Sequence, residues 1–338
     1  MRNSAVDQEL DKGGCFFMKS AMARSAYHAC INITKHVLRY CLNRVIGAVQ
    51  SAAFHVFKNH VKPFILIMQQ ARGHRLALFL MLEWTRILDT ANTNYRKLKG
   101  RNFRFFSPFR TSFVRTTYGA FYIRSHSRDF LICSPVYELE DRDYLLTLIS
   151  RLRKENKRVL FLDIGSSFGI YTIFIGNLFT GDKDVRIMSF EPAGPSYELL
   201  IKNIERNNLS NKIIAHNFAL SDGENDTAVF HYDPYWANSG PITPGFEHVP
   251  AAFEVELKTL DSVIATVVDY DVAIMKIDVE GAEIRVLKGA VKTLNSGKDF
   301  YLLVEDTVTS GLGDYLEGIG ASPIGKFTEN SWWYLRSD

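Results

Sequence analysis

The sequence predicts an α/β fold: a doubly wound, mostly parallel sheet with helices on both faces. Three observations carry that prediction. After Ser150, short apolar runs alternate with helical patterns, and such alternation implies right-handed crossovers between parallel strands. The run Val159-Leu160-Phe161-Leu162 breaks at Asp163 and passes Gly165 and Gly169 before a helical pattern opens. A buried parallel strand ends that way, in a tight turn whose backbone a ligand can approach. Finally, four of five predicted strands end in an acid: Asp163, Glu191, Asp278 and Glu305. Open α/β sheets take their ligands at that rim.

Strands are predicted near 158–163, 185–190, 212–219, 272–278 and 299–305, and helices near 169–180, 195–207, 282–294 and 312–318. Two β-rich pieces, 227–233 and 253–258, flank a Pro/Gly-rich loop between the third and fourth strands. The aromatic run 331–335 reads as a last strand, paired antiparallel. Ahead of the alternation, 111–123 and 129–133 read as lead-in strands with Tyr118-Gly119 as a turn.

Residues 1–100 have a different character and set the domain division: a basic helical segment over 1–100, then the α/β domain over 101–338. The segment holds 15 Lys+Arg against 5 Asp+Glu, whereas the remainder holds 25 against 32. No acid occurs between Lys12 and Leu82, and such asymmetry suggests two parts with different surroundings. From about residue 25 to 57, Tyr27, Ile31, Leu38, Leu42, Val45, Val49 and Val56 share a helical face. A second helix is expected from Pro63, a residue favoured in a first turn. Residues 12–82 fit a basic amphipathic contact with an anionic membrane surface. The favoured alternative is a helical hairpin that packs on itself or on a partner subunit, with its charges solvated. The apolar window 63–82 is broken by Arg72, His74 and Arg75 and falls short of the ~18 uninterrupted residues of a spanning helix.

The first residues are polar and include Asp7, Glu9 and Asp11, unlike a secretory signal; Met18 and Met22 are alternative starts. Cys15, Cys30, Cys41 and Cys133 show no metal-ligand spacing, which fits free thiols in a reducing compartment. A cytoplasmic protein, with peripheral membrane association left open, is the expectation. The interleaved basic and aromatic residues from Arg101 to Arg110 are read as a linker, and no nucleic acid is expected as partner.

The acids define the chemistry. A dinucleotide-binding turn reads G-x-G-x-x-G and seats a pyrophosphate on a helix N-terminus. Asp163 stands in the first glycine's place, and a carboxylate there repels phosphate and favours a ligand with positive charge or donors. S-adenosylmethionine carries an ammonium and a sulfonium and no phosphate. Glu191, 28 residues on and followed by Pro192, is placed to accept both hydroxyls of a ribose. Lys276 lies inside a strand expected to be buried, so it needs an acidic partner such as Asp163 or Glu305. Asp278, Glu280 and Glu283 are the catalytic candidates, as a general base for a hydroxyl or as oxygen ligands of a divalent metal. For the two glutamates, first-turn helix stabilisation is the alternative. Trp236, Asn238 and Ser239 lie in an aromatic, polar loop suited to a small-molecule or glycan acceptor, or to internal packing.

Several motifs in this order carry a resemblance: Asp163-Ile-Gly-Ser-Ser-Phe-Gly-Ile-Tyr-Thr172, Phe190-Glu191-Pro192, Ala219-Leu220-Ser221-Asp222, Thr259-Leu260-Asp261-Ser262, Lys276-Ile-Asp-Val-Glu-Gly-Ala-Glu283 and Leu287-Lys288-Gly289-Ala290. Together they resemble the FkbM-type methyltransferases, from roughly Thr117 to the C-terminus. The resemblance implies a class I, Rossmann-like fold with a seven-stranded sheet, S-adenosylmethionine as cofactor, and O-methylation of sugars or other natural products. It implies that Asp163, Gly165, Ser166, Ser167, Gly169 and Tyr171 form the methionine-end loop. Glu191 and Pro192 would then meet the ribose, and Ala219, Leu220 and Asp222 would border the adenine. Ser166-Ser167 stands where the family usually carries Ala-Asn. Two other readings stay open: a non-catalytic nucleoside-binding module tethered by the basic helices, and a nicotinamide oxidoreductase, which would need a glycine at position 163.

Overall fold

The computed structural model describes residues 112–336 except 117, 125–126, 128, 134–136, 234–237, 242–251, 265–268 and 307–310. The expected basic segment 1–100, the stretch 101–110 and Trp236 lie outside the described residues.

A hairpin comes first: β1 (Phe113–Thr116) and β2 (Gly119–Tyr122) pair antiparallel around Tyr118. Residues 129–133, expected as a strand, instead begin a one-turn helix, α1 (Asp129–Ile132), closed by the Cys133 amide donating to the Asp129 carbonyl. An apolar run of four residues has no periodicity that separates the two outcomes. The longer α2 (Leu139–Lys154) had no counterpart in the sequence reading. It buries Leu145, Leu148, Ile149 and Leu152.

The alternating part follows as β3 (Val159–Ile164), α3 (Ile170–Leu178), β4 (Val185–Phe190), α4 (Gly194–Arg206) and β5 (Ile213–His216). A second group then leaves the main sheet: β6 (Ala219–Leu220), β7 (Thr227–Asp233), β8 (Asn238–Pro241) and β9 (Ala252–Lys258). The expected single strand over 212–219 is thus two, β5 and β6, in different sheets. The chain returns through α5 (Leu260–Ile264), β10 (Val272–Ile277), α6 (Glu283–Lys288), α7 (Val291–Leu294), β11 (Asp299–Glu305), α8 (Leu312–Gly318), β12 (Ser322–Lys326) and β13 (Asn330–Arg336).

Among the described residues the main sheet has seven strands in the order β12-β13-β11-β10-β3-β4-β5, and the smaller runs β6-β9-β7-β8. β3 is parallel to both β4 and β10, while β13 lies antiparallel between β11 and β12. All six residues of β3 and of β10 are buried, which explains their near-continuous apolar sequences. After β3 the order runs outward through β4 and β5, then restarts on the other side with β10. The reversal falls between β3 and β10, and ligand crevices of open sheets lie at such a switch point.

The lead-in hairpin is fastened by two asparagines one turn apart, Asn203 on α4 and Asn207 at its C-cap. Asn203 exchanges hydrogen bonds with the Tyr122 amide (2.6 Å) and carbonyl (3.0 Å), and Asn207 does the same with Ala120 at 2.9 and 2.7 Å. Their amide groups imitate a neighbouring strand along the edge of β2 and satisfy backbone groups that burial would otherwise orphan.

The helix predicted over 282–294 breaks into α6 and α7 at Gly289-Ala290, where three of the sequence motifs meet. A Cβ on Gly289 would lie 1.8 Å from the Ser221 carbonyl oxygen and 3.4 Å from the Thr259 Cα. Asp261 accepts from the amides of Lys292 and Thr293 at the start of α7. Asp222 is gripped by Arg285 of α6 at 2.9 and 3.2 Å.

α2 is anchored to β13 through one buried carboxylate. Asp141 accepts from the Trp332 indole N–H at 2.8 Å, from Asn330 at 3.1 Å and from the Thr328 hydroxyl. Replacing it with alanine strands these donors in a dry site, so Asp141→Ala is expected to cost about 2–4 kcal/mol of folding stability. Urea unfolding measures it; a loss below about 0.5 kcal/mol would contradict the anchor.

Candidate functional site

The crevice between β3 and β10 is built from backbone contact upward. The Asp278 amide donates to the Ile164 carbonyl at 3.0 Å, continuing the strand pairing one residue past β10. Gly165 follows at φ 84°, and a Cβ there would lie 1.8 Å from the Asp278 carbonyl oxygen. Only glycine allows this approach, because it lacks the clashing atom and tolerates the left-handed backbone. The amides of Gly165 and Ser166 both donate to the Phe190 carbonyl at 3.0 Å. Ser167 sits at φ 49°, and Gly169, at φ 93°, starts α3. Glu138 and Glu280 are also left-handed, at 44° and 56°. Three non-glycine residues in that region around one crevice is the kind of stored strain that gathers at functional sites.

Asp163 is 1% exposed. Its Oδ2 accepts from the Thr172 amide (3.0 Å) and hydroxyl (2.5 Å), and the hydroxyl also bonds Ser189. Its Oδ1 is buried with no hydrogen-bond partner among the described residues. Burial pushes the Asp163 pKa up, against the Lys276 ammonium and the Thr172 bonds. An acceptor oxygen held dry without a protein donor suits a ligand that brings one, such as an ammonium.

Glu191 stands at the end of β4. Its two oxygens accept from the amides of Ala193 and Ser167, each at 2.8 Å. Each oxygen keeps a further lone pair for a hydroxyl. Burial drives its pKa up to about 7, against the two amides and Arg124, with Asp163 adding to the rise. Pro192 contributes a carbonyl that accepts from Asn217 at 3.1 Å.

Lys276 finds a different partner from those expected. Asp163 is its register neighbour on β3, yet the ammonium closes on Asp278 at 2.7 Å. Residues two apart on a strand point to the same side, and the chain leaving β10 keeps that direction. The Lys276 side chain is 6% exposed and that of Asp278 30%, so the carboxylate is the member of the pair that a ligand can reach. Burial would raise the Asp278 pKa, but the Lys276 ammonium and a hydrogen bond with Glu305 hold it below the ordinary value. Tyr171 lies under the ammonium, with its ring centroid 5.0 Å from Nζ, and donates its hydroxyl to Glu138 at 2.6 Å. Burial pushes the Glu138 carboxyl upward, partly offset by Lys276.

Glu283 is occupied by the turn that follows Asp278. It is 1% exposed, and its Oε1 accepts from the amides of Val279 and Gly281, clamping the turn that carries Glu280. That geometry fits the helix-start alternative. Asp278, Glu280 and Glu283 do not gather as ligands: among the described residues no group of three or more His, Cys, Asp or Glu could hold a metal ion. Asp222 is committed to Arg285, and Ala219 and Leu220 are buried in β6. Asn238 and Ser239 belong to strand β8, not to a loop.

Two site residues escaped the sequence reading: Glu138, just before α2, and Arg124, just after β2. Neither belongs to a motif. Arg124 lies over the Phe168 ring, with its guanidinium carbon 5.8 Å from the centroid, and bonds Ser167 of the glycine turn.

Residues 163–310 match the family model described as the methyltransferase FkbM domain. No curated protein matches the chain. Among solved structures, the chain is similar to the N-terminal domain of human METTL16 in complex with SAH, at 14% identity, 57% of this chain, 68% of that chain and a TM-score of 0.34. It is similar to a putative O-methyltransferase from Klebsiella pneumoniae at 9% identity, covering 59% and 80%, with a TM-score of 0.36. A third, cofactor-bound Rv0187 from MTB, gives 11% identity over 59% and 80% at 0.37. No helix among the described residues is long and apolar enough to cross a membrane.

Proposed function

We propose, on the premise that residues 163–310 are a methyltransferase domain of the FkbM type, that the chain methylates a hydroxyl oxygen of a sugar, glycan or other natural-product acceptor. The observation that carries this reading is the direct contact of the Gly165 turn with the Asp278 backbone, which brings a cofactor loop and a ligand-accessible carboxylate together at the switch point. Bound S-adenosylmethionine supplies a methyl group already activated by its sulfonium. The chain's residues have the remaining work of binding, orienting and accepting a proton.

Asp163 offers its unpartnered Oδ1 to the cofactor's ammonium. Glu191 accepts the ribose hydroxyls while the Ser167 and Ala193 amides hold its carboxylate in place. Asp278 accepts a hydrogen bond from the acceptor hydroxyl and takes its proton as the oxygen attacks. Lys276 fixes that carboxylate and keeps it ionised.

Acceptor chemistry is tested by supplying methyl-labelled cofactor and a panel of glycosides and alcohols. Alkali-stable methyl ethers are the expected product. Label appearing only on nitrogen or as labile esters would overturn O-methylation.

A pH dependence follows from Glu191. Its ionised form is the better acceptor for two hydroxyls, so cofactor affinity is expected to rise as pH passes through about 7, by about tenfold between pH 6 and 8. Stability of the free protein takes the opposite sign. Between the ordinary 4.5 and about 7 the native state holds the extra proton, so this group's contribution falls as pH rises. Calorimetric titration of S-adenosylmethionine across that range checks the first statement, and a flat profile would refute it.

A further inference from the structure

The residue that joins the parts of this site lies outside the matched stretch. Arg124 donates through Nε (2.9 Å) and Nη2 (3.0 Å) to Asp129, through Nη1 to the Ser196 and Tyr232 hydroxyls at 3.0 Å each, and again through Nη2 to Ser167 Oγ at 3.0 Å. Those contacts use all five N–H groups of a guanidinium. From the lead-in segment they reach four separate places: α1, the glycine turn, α4 and strand β7 of the smaller sheet. A lysine ammonium, with three donors on a flexible stem, cannot reproduce that fork.

We propose that Arg124 is a positioning residue for the cofactor site, holding the Ser167 turn so that its amide supports Glu191, and tying that turn to the smaller sheet through Tyr232. The proposal rests on the reading of Glu191 as the ribose ligand. Its geometric core is the relay from Arg124 to Ser167 Oγ, and from the Ser167 amide to Glu191 Oε2 at 2.8 Å. Ser167 is left-handed, a conformation that a non-glycine residue keeps only when its surroundings enforce it. The Arg124 side chain is 10% exposed and Asp129 fully buried, so the fork is fixed in place. Burial works against the guanidinium's charge, but Asp129 outweighs it and the group stays protonated.

Arg124 also acts on Glu191 through its charge. Two charged groups face Glu191: Arg124, which lowers its pKa, and Asp163 of β3, which raises it. From β5, His216 pairs its carbonyl with the Glu191 amide. Burial and Lys258 hold that imidazole below its ordinary pKa, so it is neutral near pH 7.

The test measures S-adenosylmethionine affinity from pH 5.5 to 8.5 for the wild type, Arg124→Gln, Ser167→Ala, the double variant and Glu191→Gln. Arg124→Gln is expected to weaken binding on the order of tenfold at pH 7 and to move the midpoint of the pH profile upward. Ser167→Ala is expected to weaken it several-fold, and the double variant to fall short of the product of the two effects, as residues acting in series do. An unmoved midpoint in Arg124→Gln, or fully multiplicative effects, would overturn the proposal. If Arg124→Gln fails to fold, unchanged affinity in Ser167→Ala overturns it instead. A wild type that does not bind the cofactor, or a Glu191→Gln variant that keeps both affinity and pH profile, marks failure of the underlying site reading.

Discussion

Gly165→Ala is expected to abolish cofactor binding and to destabilise the fold by about 3–5 kcal/mol. The methyl would enter 1.8 Å from the Asp278 carbonyl oxygen and 2.8 Å from its carbon. Both are backbone atoms at the end of a central strand, so no side-chain rotation relieves the clash. The backbone at φ 84° adds a left-handed penalty for any residue with a Cβ, on the order of 1–2 kcal/mol. Relief therefore requires the ends of β3 and β10 to part, which opens the crevice proposed to hold the cofactor. Gly181→Ala is the control: its added Cβ meets nothing within 4 Å. Thermal unfolding and cofactor titration of both variants measure the effect. A Gly165→Ala protein with native stability and affinity would remove the structural basis of the site.

Asp278→Asn is expected to lower turnover by about 10²–10⁴-fold while cofactor binding largely persists. The amide keeps the size of the side chain but cannot take up the acceptor's proton. It also leaves the Lys276 ammonium, 6% exposed, without the opposite charge it meets at 2.7 Å. A loss of stability on the order of 3 kcal/mol accompanies the lost activity, so assays belong well below the variant's unfolding temperature. Because Lys276 holds the Asp278 pKa below its ordinary value, the wild-type pH profile near neutrality reports Glu191 rather than Asp278. Unchanged turnover in Asp278→Asn would end its assignment as the proton acceptor.

The parts of this fold that could be read from sequence are those where burial is complete. β3 and β10 are buried along their whole length, so their apolar runs stood out and the acids ending them marked the rim. α2 was missed because its charges interrupt the apolar pattern, although Leu145, Leu148, Ile149 and Leu152 keep helical spacing and a window begun earlier would have found it. The partner of Lys276 was also within reach, since strand alternation alone puts Lys276 and Asp278 on one side. Glu138 and Arg124 were not. Each meets the site through contacts 33 or more residues away, Tyr171 for one and Ser167 for the other, and no local pattern encodes such a meeting. The Ser221, Thr259 and Gly289 motifs were legible through the family resemblance, but their cause is packing: Gly289 is small because the Ser221 carbonyl occupies the space a side chain would need.

Titration calorimetry of the full chain with S-adenosylmethionine, run in parallel with NAD, tests the central claim most directly. The account predicts saturable binding of S-adenosylmethionine at one site, weakened by Glu191→Gln, and no binding of NAD, whose pyrophosphate meets Asp163 at the β3 turn. A folded protein that takes NAD tightly and ignores S-adenosylmethionine would contradict it.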